Sequence, residues 1–305
     1  MRVLLTGASG FLGRYIYEAL TELSYEVVTL GRHPSNDVQV DLGKEVPQLT
    51  GLFDLVIHAV GKAHSLPKND EEAQLFFAVN TQGTRHLCDA LNQHLSEKAC
   101  LVFISSIAVY GLAEGQDIEE SQPVAPISPY GKSKWMAENI LAEWCRDQCV
   151  PLTIFRLPLI VGRNAPGNLK DMINAIRRGF YFTLSGVPGK KSMVLARDVA
   201  ELIPRAAGTP GIFHLTDGIH PTMGQLAAAL ARVLKKRAPR KIPSFIIALA
   251  ARIGDLSGGR LPIDSARYRK LSATLTFTSQ KAVLQLGWTP TPVLEAIESG
   301  DIVAP

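Results

Sequence analysis

Cysteine is scarce in this chain of 305 residues. The four present, Cys88, Cys100, Cys145 and Cys149, contain no Cys-x-x-Cys pair, which argues against a zinc ribbon or a thioredoxin-type redox site and excludes a disulfide-stapled scaffold. Cys145 and Cys149 stand four apart within a helical pattern, a spacing that suits packing, so no metal site is expected. No secretory leader opens the sequence, and the chain reads as cytoplasmic with reduced thiols. Long apolar runs are also missing. The most apolar late stretch, FIIALAARIG (245–254), is too short to span a bilayer, and no membrane partner is expected. Charge of one sign does not dominate: 32 basic against 28 acidic residues leave a net +4. The run RVLKKRAPRK (232–241) lacks interleaved aromatics, so it reads as a solvated helix end and no nucleic-acid partner is expected. Repeats and low-complexity tracts are absent.

What is present is material for a large core, with 46% hydrophobic residues. RVLLT (2–6), EVVTL (26–30), DLVIHAV (54–60), CLVFISS (100–106) and LTIFRLP (152–158) are continuous runs that suit strands buried on both faces. Helical patterns over 11–23, 71–95 and 129–147 separate them. Such alternation predicts an α/β fold with a doubly wound parallel sheet, Rossmann-like. GIFHLT (211–216) reads as one more strand. Residues 1–160 form the expected first domain. Residues 161–305, with helices near 222–236 and 243–254, form mainly a smaller second one, and 196–216 return to the first sheet.

A strand, the spacing Gly7-x-x-Gly10-x-x-Gly13 and a helix follow in immediate succession. That order places backbone N–H groups at a helix N-terminus where a pyrophosphate can approach them. After the second strand, where an acid would hold the ribose 2′-hydroxyl of NAD, Arg32 stands instead, and a guanidinium favours a 2′-phosphate. His33 and Ser35 are near enough to add contacts. Asp41, in VQVDL, is placed to accept from an adenine amino group.

SPYGKSK (128–134) sets Tyr130 and Lys134 one helical turn apart behind a Ser128 cap and Pro129. A phenol with an ordinary pKa of about 10 is a weak base at neutral pH. A fixed ammonium beside it would lower that value and make Tyr130 a proton relay. Ser106, 24 residues upstream at a strand end, could orient the same substrate oxygen.

Together the glycine loop, VIHAVG, NTQGT, FISSIAVYG, PYGKSK, FRLPLIVG and LGWTP resemble the extended short-chain dehydrogenase/reductases. More narrowly, the chain resembles the NAD-dependent epimerase/dehydratase family of nucleotide-sugar enzymes. The resemblance covers essentially the whole chain. It implies a dinucleotide-binding first domain and a substrate-binding second one. Gly7, Gly10, Phe11, Leu12 and Gly13 would line the pyrophosphate, and Asp41 and Leu42 would flank the adenine. Ala59, Val60 and Gly61 would pass under the cofactor, with Asn80 steadying the strand ends and Pro158 near the nicotinamide. Ser106, Tyr130 and Lys134 would be the catalytic group, the last two also touching cofactor. Asn168 and Lys191, together with Ser106, would contact a nucleotide-sugar substrate. Family members commonly pair through two helices, so a homodimer is expected.

Dehydratases of the family follow the catalytic hydroxyl residue with Asp-Glu, whereas Ile107 and Ala108 follow Ser106, which disfavours dehydration. Arg32 points to NADP, with NAD as the alternative, and to an exchangeable cofactor. The expected reaction is therefore reduction of a nucleotide-linked 4-keto sugar. An NAD-dependent 4-epimerase is the alternative, and a non-catalytic NAD(P)-binding regulatory protein is the alternative from another class.

Overall fold

The computed structural model describes residues 1–63, 67–186, 189–247, 255, 268 and 272–302. Seven strands form one all-parallel sheet: β1 (Arg2–Thr6), β2 (Glu26–Gly31), β3 (Val38–Gln39), β4 (Phe53–His58), β5 (Leu95–Ser106), β7 (Leu152–Leu157) and β11 (Gly211–His214). Their order across the sheet is β11-β7-β5-β4-β1-β2-β3. The chain winds outward from β1 in one direction as far as β3 and then restarts at β4 on the other side, so a crevice opens at the carboxyl ends of β1 and β4. Because every strand is parallel, residues that follow β1, β4, β5 and β7 all emerge at that same end.

The strand runs are continuously apolar because helices cover both faces. Val3, Leu5, Leu55, Ile57, Val102, Ile104 and Phe155 point to one face, where they meet Leu12, Ile16 and Leu20 of α1 (Phe11–Glu22) and Val199, Leu202 and Ile203 of α6 (Ala196–Ala206). Leu4, Val56, Leu101, Phe103 and Ile154 point to the other. There they pack against Leu87 and Leu91 of α3 (Gly83–Leu91) and Ala137 and Leu141 of α4 (Pro129–Asp147). Each such side chain, fully buried, stabilises by about 1.5–3 kcal/mol before conformational entropy is charged against it.

The expected helix over 71–95 is composite. It comprises α2 (Asp70–Phe76), one π turn at Phe77–Gln82 and α3, and β5 begins at Leu95. α4 matches its expected span; Ser128 Oγ accepts from Gly131 N at 3.0 Å and Pro129 occupies the first turn.

A separate cluster of Val161, Leu169, Met172, Leu226, Leu230 and Ile297 unites α5 (Asn168–Arg177) and α7 (Met223–Val233) with residues near the carboxyl terminus. Three parallel two-stranded ribbons border it and the main sheet: β6 (Gly115–Ile118) with β13 (Leu275–Phe277), β8 (Leu159–Val161) with β10 (Met193–Leu195), and β9 (Phe182–Ser185) with β12 (Arg240–Pro243). The basic run 232–241 is therefore more than a helix end. The helix stops at Val233, Lys235 turns at φ +52°, and Arg240 and Lys241 enter β12. Of the expected helix over 243–254, residues 244–247 are helical and 248–254 lie outside the described residues. The described helices include none long and apolar enough to cross a membrane.

Candidate functional site

Gly7 leaves β1 at φ +77°, and a Cβ there would stand 2.8 Å from Val60 N. Gly10 N donates to Gly7 O at 2.9 Å and Arg14 N to Gly10 O at 3.1 Å, which folds the loop onto the first turn of α1. A Cβ at Gly13 would lie 2.0 Å from Gly7 O, so only glycine admits this approach. Gly10 caps α1 without a side chain, and no acidic residue stands in its first turn. The first N–H groups, at Phe11, Leu12 and Gly13, therefore carry the helix's positive end with no carboxylate to neutralise it.

Arg32 follows β2 directly and is exposed, with no guanidinium bond to a described residue. His33 and Ser35 bond one another at 2.7 Å within the turn. Asp41 Oδ1 accepts from Gly43 N at 3.1 Å and Oδ2 lies 3.9 Å from Lys44 Nζ, so this carboxylate is partly engaged in its own turn. Leu42 is buried, and its carbonyl accepts from His86 Nδ1 at 2.7 Å; its side chain belongs to the core.

Ala59, Val60 and Gly61 cross the carboxyl end of β4 beside the glycine loop. Val60 N donates to Thr6 Oγ1 at 3.2 Å, and a Cβ on Gly61 would come 3.0 Å from Lys134 Nζ. Asn80, on the π turn, holds this segment in place. Its Oδ1 accepts from Lys62 N at 2.7 Å, while Nδ2 donates to Lys62 O at 3.1 Å and to Ser133 Oγ at 2.8 Å. Single π turns often mark functional sites because the extra residue aims a side chain out of helical register. Ser133 went unnoticed in the sequence, although it stands one residue before Lys134.

Ser106 ends β5 and accepts from Ala108 N at 3.2 Å, and its hydroxyl lies near enough to the Tyr130 phenol to favour the ionised form. Lys134 is buried; its Nζ donates to Ile104 O at 2.8 Å and lies 4.6 Å from the Phe103 ring centroid. Burial lowers its pKa to about 8, against the opposing pull of Glu138. The expected lowering of the Tyr130 pKa is not found. Burial raises it, and the nearby Ser106 hydroxyl works the other way. Pro158 is buried where β7 passes into β8.

Asn168 is exposed at the start of α5, after Gly167 at φ +64°. Lys191 bridges to Leu275, and its N–H donates to Pro221 O at 3.1 Å. These two stand on separate elements of the second cluster's surroundings, whereas the glycine loop, Gly61, Asn80, Ser106, Tyr130 and Lys134 gather at one end of the sheet.

Behind this group lies a buried network that went unforeseen. Glu138, one turn after Lys134, pairs with Arg156 Nη2 at 2.6 Å, both side chains 2% exposed, and accepts from Ser105 Oγ. Arg156 Nη1 donates to Tyr110 OH at 2.8 Å, and Tyr110 OH meets His214 Nε2 at 2.7 Å. Burial works against the Arg156 charge, but Glu138 outweighs it and raises the pKa. The i, i+4 spacing of Lys134 and Glu138 was the available signal; Arg156 inside an apolar strand offered none.

His58 bridges Thr6 Oγ1 and Thr84 Oγ1, each at 2.9 Å, and burial followed by the Lys134 charge lowers its pKa to about 3. Burial and then the Arg156 charge lower that of His214 to about 4. In the unfolded chain both would bind protons near pH 6.5, and the fold refuses them. Stability is therefore expected to be full above about pH 6.5 and to fall with pH, by up to about 1.4 kcal/mol per unit per histidine, until these folded values are reached. Urea unfolding at pH 7, 6 and 5 checks this, and a flat profile would contradict it.

The sequence profile of the NAD dependent epimerase/dehydratase family matches residues 3–211. An Escherichia coli O157:H7 relative, N-acetyl-α-D-glucosaminyl-diphospho-ditrans,octacis-undecaprenol 4-epimerase, is 27% identical over 92% of this chain and 88% of its own. The dTDP-6-deoxy-L-talose 4-dehydrogenase (NAD(P)(+)) of Kitasatospora kifunensis is 31% identical over 55% of each chain. In fold, the chain is similar to the Thermus thermophilus UDP-glucose 4-epimerase solved with NAD, with TM-score 0.73, 24% identity and coverage of 98% and 97%. With two thirds of its length matched by the family profile, this chain belongs to the NAD dependent epimerase/dehydratase family.

Proposed function

We propose that the chain transfers hydride at C4 of a sugar carried on a diphosphate, with reduction of a 4-keto sugar by NADPH as the net reaction. The observation that carries the reading is the convergence of Ser106, Tyr130 and Lys134 at the carboxyl end of β5, with β4 between it and the strand that leads into the glycine loop. A dinucleotide is supported by the cradle itself, where a Cβ at Gly7 or Gly13 would fill the space between loop, helix and β4. When bound, a reduced nicotinamide supplies the hydride. As C4 accepts it and the carbonyl π bond becomes an O–H bond, Tyr130 gives its proton to the oxygen that Ser106 orients. Lys134 balances the phenolate left behind, and solvent reprotonates it. Asn168 and Lys191 are assigned to the diphosphate. In the Escherichia coli relative, by its name, that diphosphate is borne by undecaprenol.

Arg32 supports NADPH over NADH, since it follows β2 with no guanidinium bond to a described residue, while the carboxylate nearest the end of β2, Asp37, is bonded to Thr29. Charge-assisted hydrogen bonds contribute roughly 1.5–3 kcal/mol, or about ten- to a hundredfold in affinity. Arg32→Ala is expected to weaken NADPH by that factor and leave NADH nearly unchanged, as read from dissociation constants for both at one salt concentration. Equal wild-type affinities would remove the argument. The second reading, 4-epimerisation with retained NAD, is favoured by similarity over nearly the whole chain to a 4-epimerase. Mass analysis of the cofactor released on denaturation, with assay of a nucleotide 4-keto sugar for reduction and of the parent sugar for epimerisation, separates the two.

A further inference from the structure

We infer that the ribbon of β9 and β12 docks on an anionic lipid bilayer surface. Three phenylalanines are more than a third exposed among the described residues, and all three lie here: Phe180 at 74%, Phe182 at 48% and Phe245 at 70%. Ile246 adds a fourth exposed apolar side chain. Water-facing phenylalanine gains nothing for the fold, and their concentration on one element is what an interfacial insertion surface shows.

Charge around them has one sign. Residues 172–186 and 218–247 contain no Asp or Glu, yet they carry Arg177, Arg178, Arg232, Lys235, Lys236, Arg237, Arg240 and Lys241. Arg232 is neutralised by Glu298. The other seven are exposed, and none forms an ion pair with a described carboxylate. Topology gathers them: β9 and β12 run parallel with Arg240 opposite Phe182, so Arg177, Arg178 and Phe180 leave the ribbon at the same end as Lys235, Lys236 and Arg237. Between the ribbon and α7 a cleft of about 380 Å³ is lined by Tyr181, Leu184, Met223, Ile242 and Ile247, with no charged side chain. Exposed apolar side chains at both ends of the ribbon, with cations that form no ion pair with a described carboxylate gathered at the Phe180 end and on β12, match a bilayer interface bearing anionic headgroups, each cation near such a surface strengthening binding by about fivefold. A nucleic acid would use the cations but leave the phenylalanines in water. The inference concerns a face lying on the bilayer, with no segment crossing it, and does not depend on which sugar is turned over.

The test is co-sedimentation of the full chain with vesicles of phosphatidylglycerol and phosphatidylethanolamine, and with vesicles of phosphatidylcholine alone. Sedimentation with the first and not the second, reversed by salt, is expected. Lys235→Glu, Arg240→Glu and Lys241→Glu together should lower the partition coefficient by on the order of a hundredfold. Phe180→Ser with Phe245→Ser, which leaves every cation in place, should also lower the partition coefficient at low salt. Circular dichroism and unchanged unfolding midpoints show that these exposed variants still fold. No sedimentation overturns the inference, as does equal binding to both vesicle types. It is also overturned if a DNA duplex binds more tightly at the same salt, or if the phenylalanine variant dissociates a dimer while wild-type protein ignores vesicles.

Discussion

Tyr130→Phe is expected to lower turnover by about 10² to 10⁴ while leaving the affinity for nicotinamide cofactor within a fewfold. The ring and its packing 6.1 Å from Phe76 survive the substitution, and only the hydroxyl near Ser106 is lost. Under the proposed reaction, that hydroxyl is the group that donates a proton to the sugar oxygen. Steady-state kinetics with a 4-keto sugar, beside a cofactor titration by fluorescence, give both quantities. Turnover within a fewfold of wild type would remove Tyr130 from the reaction. Burial raises the phenol and so keeps Tyr130 protonated, the form that donates in the reductive direction.

Glu138→Ala should be the most destabilising single change, at about 3–5 kcal/mol, because it strands the Arg156 guanidinium where water cannot reach it. Replacing both partners, Glu138→Leu with Arg156→Met, should recover most of that loss, since two apolar groups leave no unpaired charge. Urea unfolding of both variants decides this, and additive losses would show that the pair is not the unit. The milder Glu138→Gln reports on the reaction. Glu138 supports the Lys134 charge against burial, so its neutralisation should move the loss of that charge to below pH 8 and shift the alkaline limb of the activity profile downward. An unmoved limb would confine Glu138 to a structural part.

The sheet was readable in the residues because strands buried on both faces must be apolar throughout, which Val3 to Leu5, Leu55 to Ile57 and Leu101 to Ile104 are. The glycine loop was readable for a related reason, since spacing along the chain there is also spacing in space. Tyr130 and Lys134 were legible as an i, i+4 pair on one helix, and Ser128 and Pro129 marked where that helix starts. Local rules reach that far.

Contacts between distant segments were decided only by the tertiary structure. Arg156 faces Glu138 because β7 packs beneath α4, and His214 reaches Tyr110 across 104 positions of sequence. The direction of the Lys134 ammonium, toward the Ile104 carbonyl, depends on how α4 lies over β5, which no spacing encodes. The basic run ends in a strand beside Phe182 because its hydrogen-bonding partner, β9, lies some sixty residues earlier in the chain. Periodicity records how one element meets water and core. Which elements then meet one another, and which charges are left facing solvent, is settled when the whole chain packs.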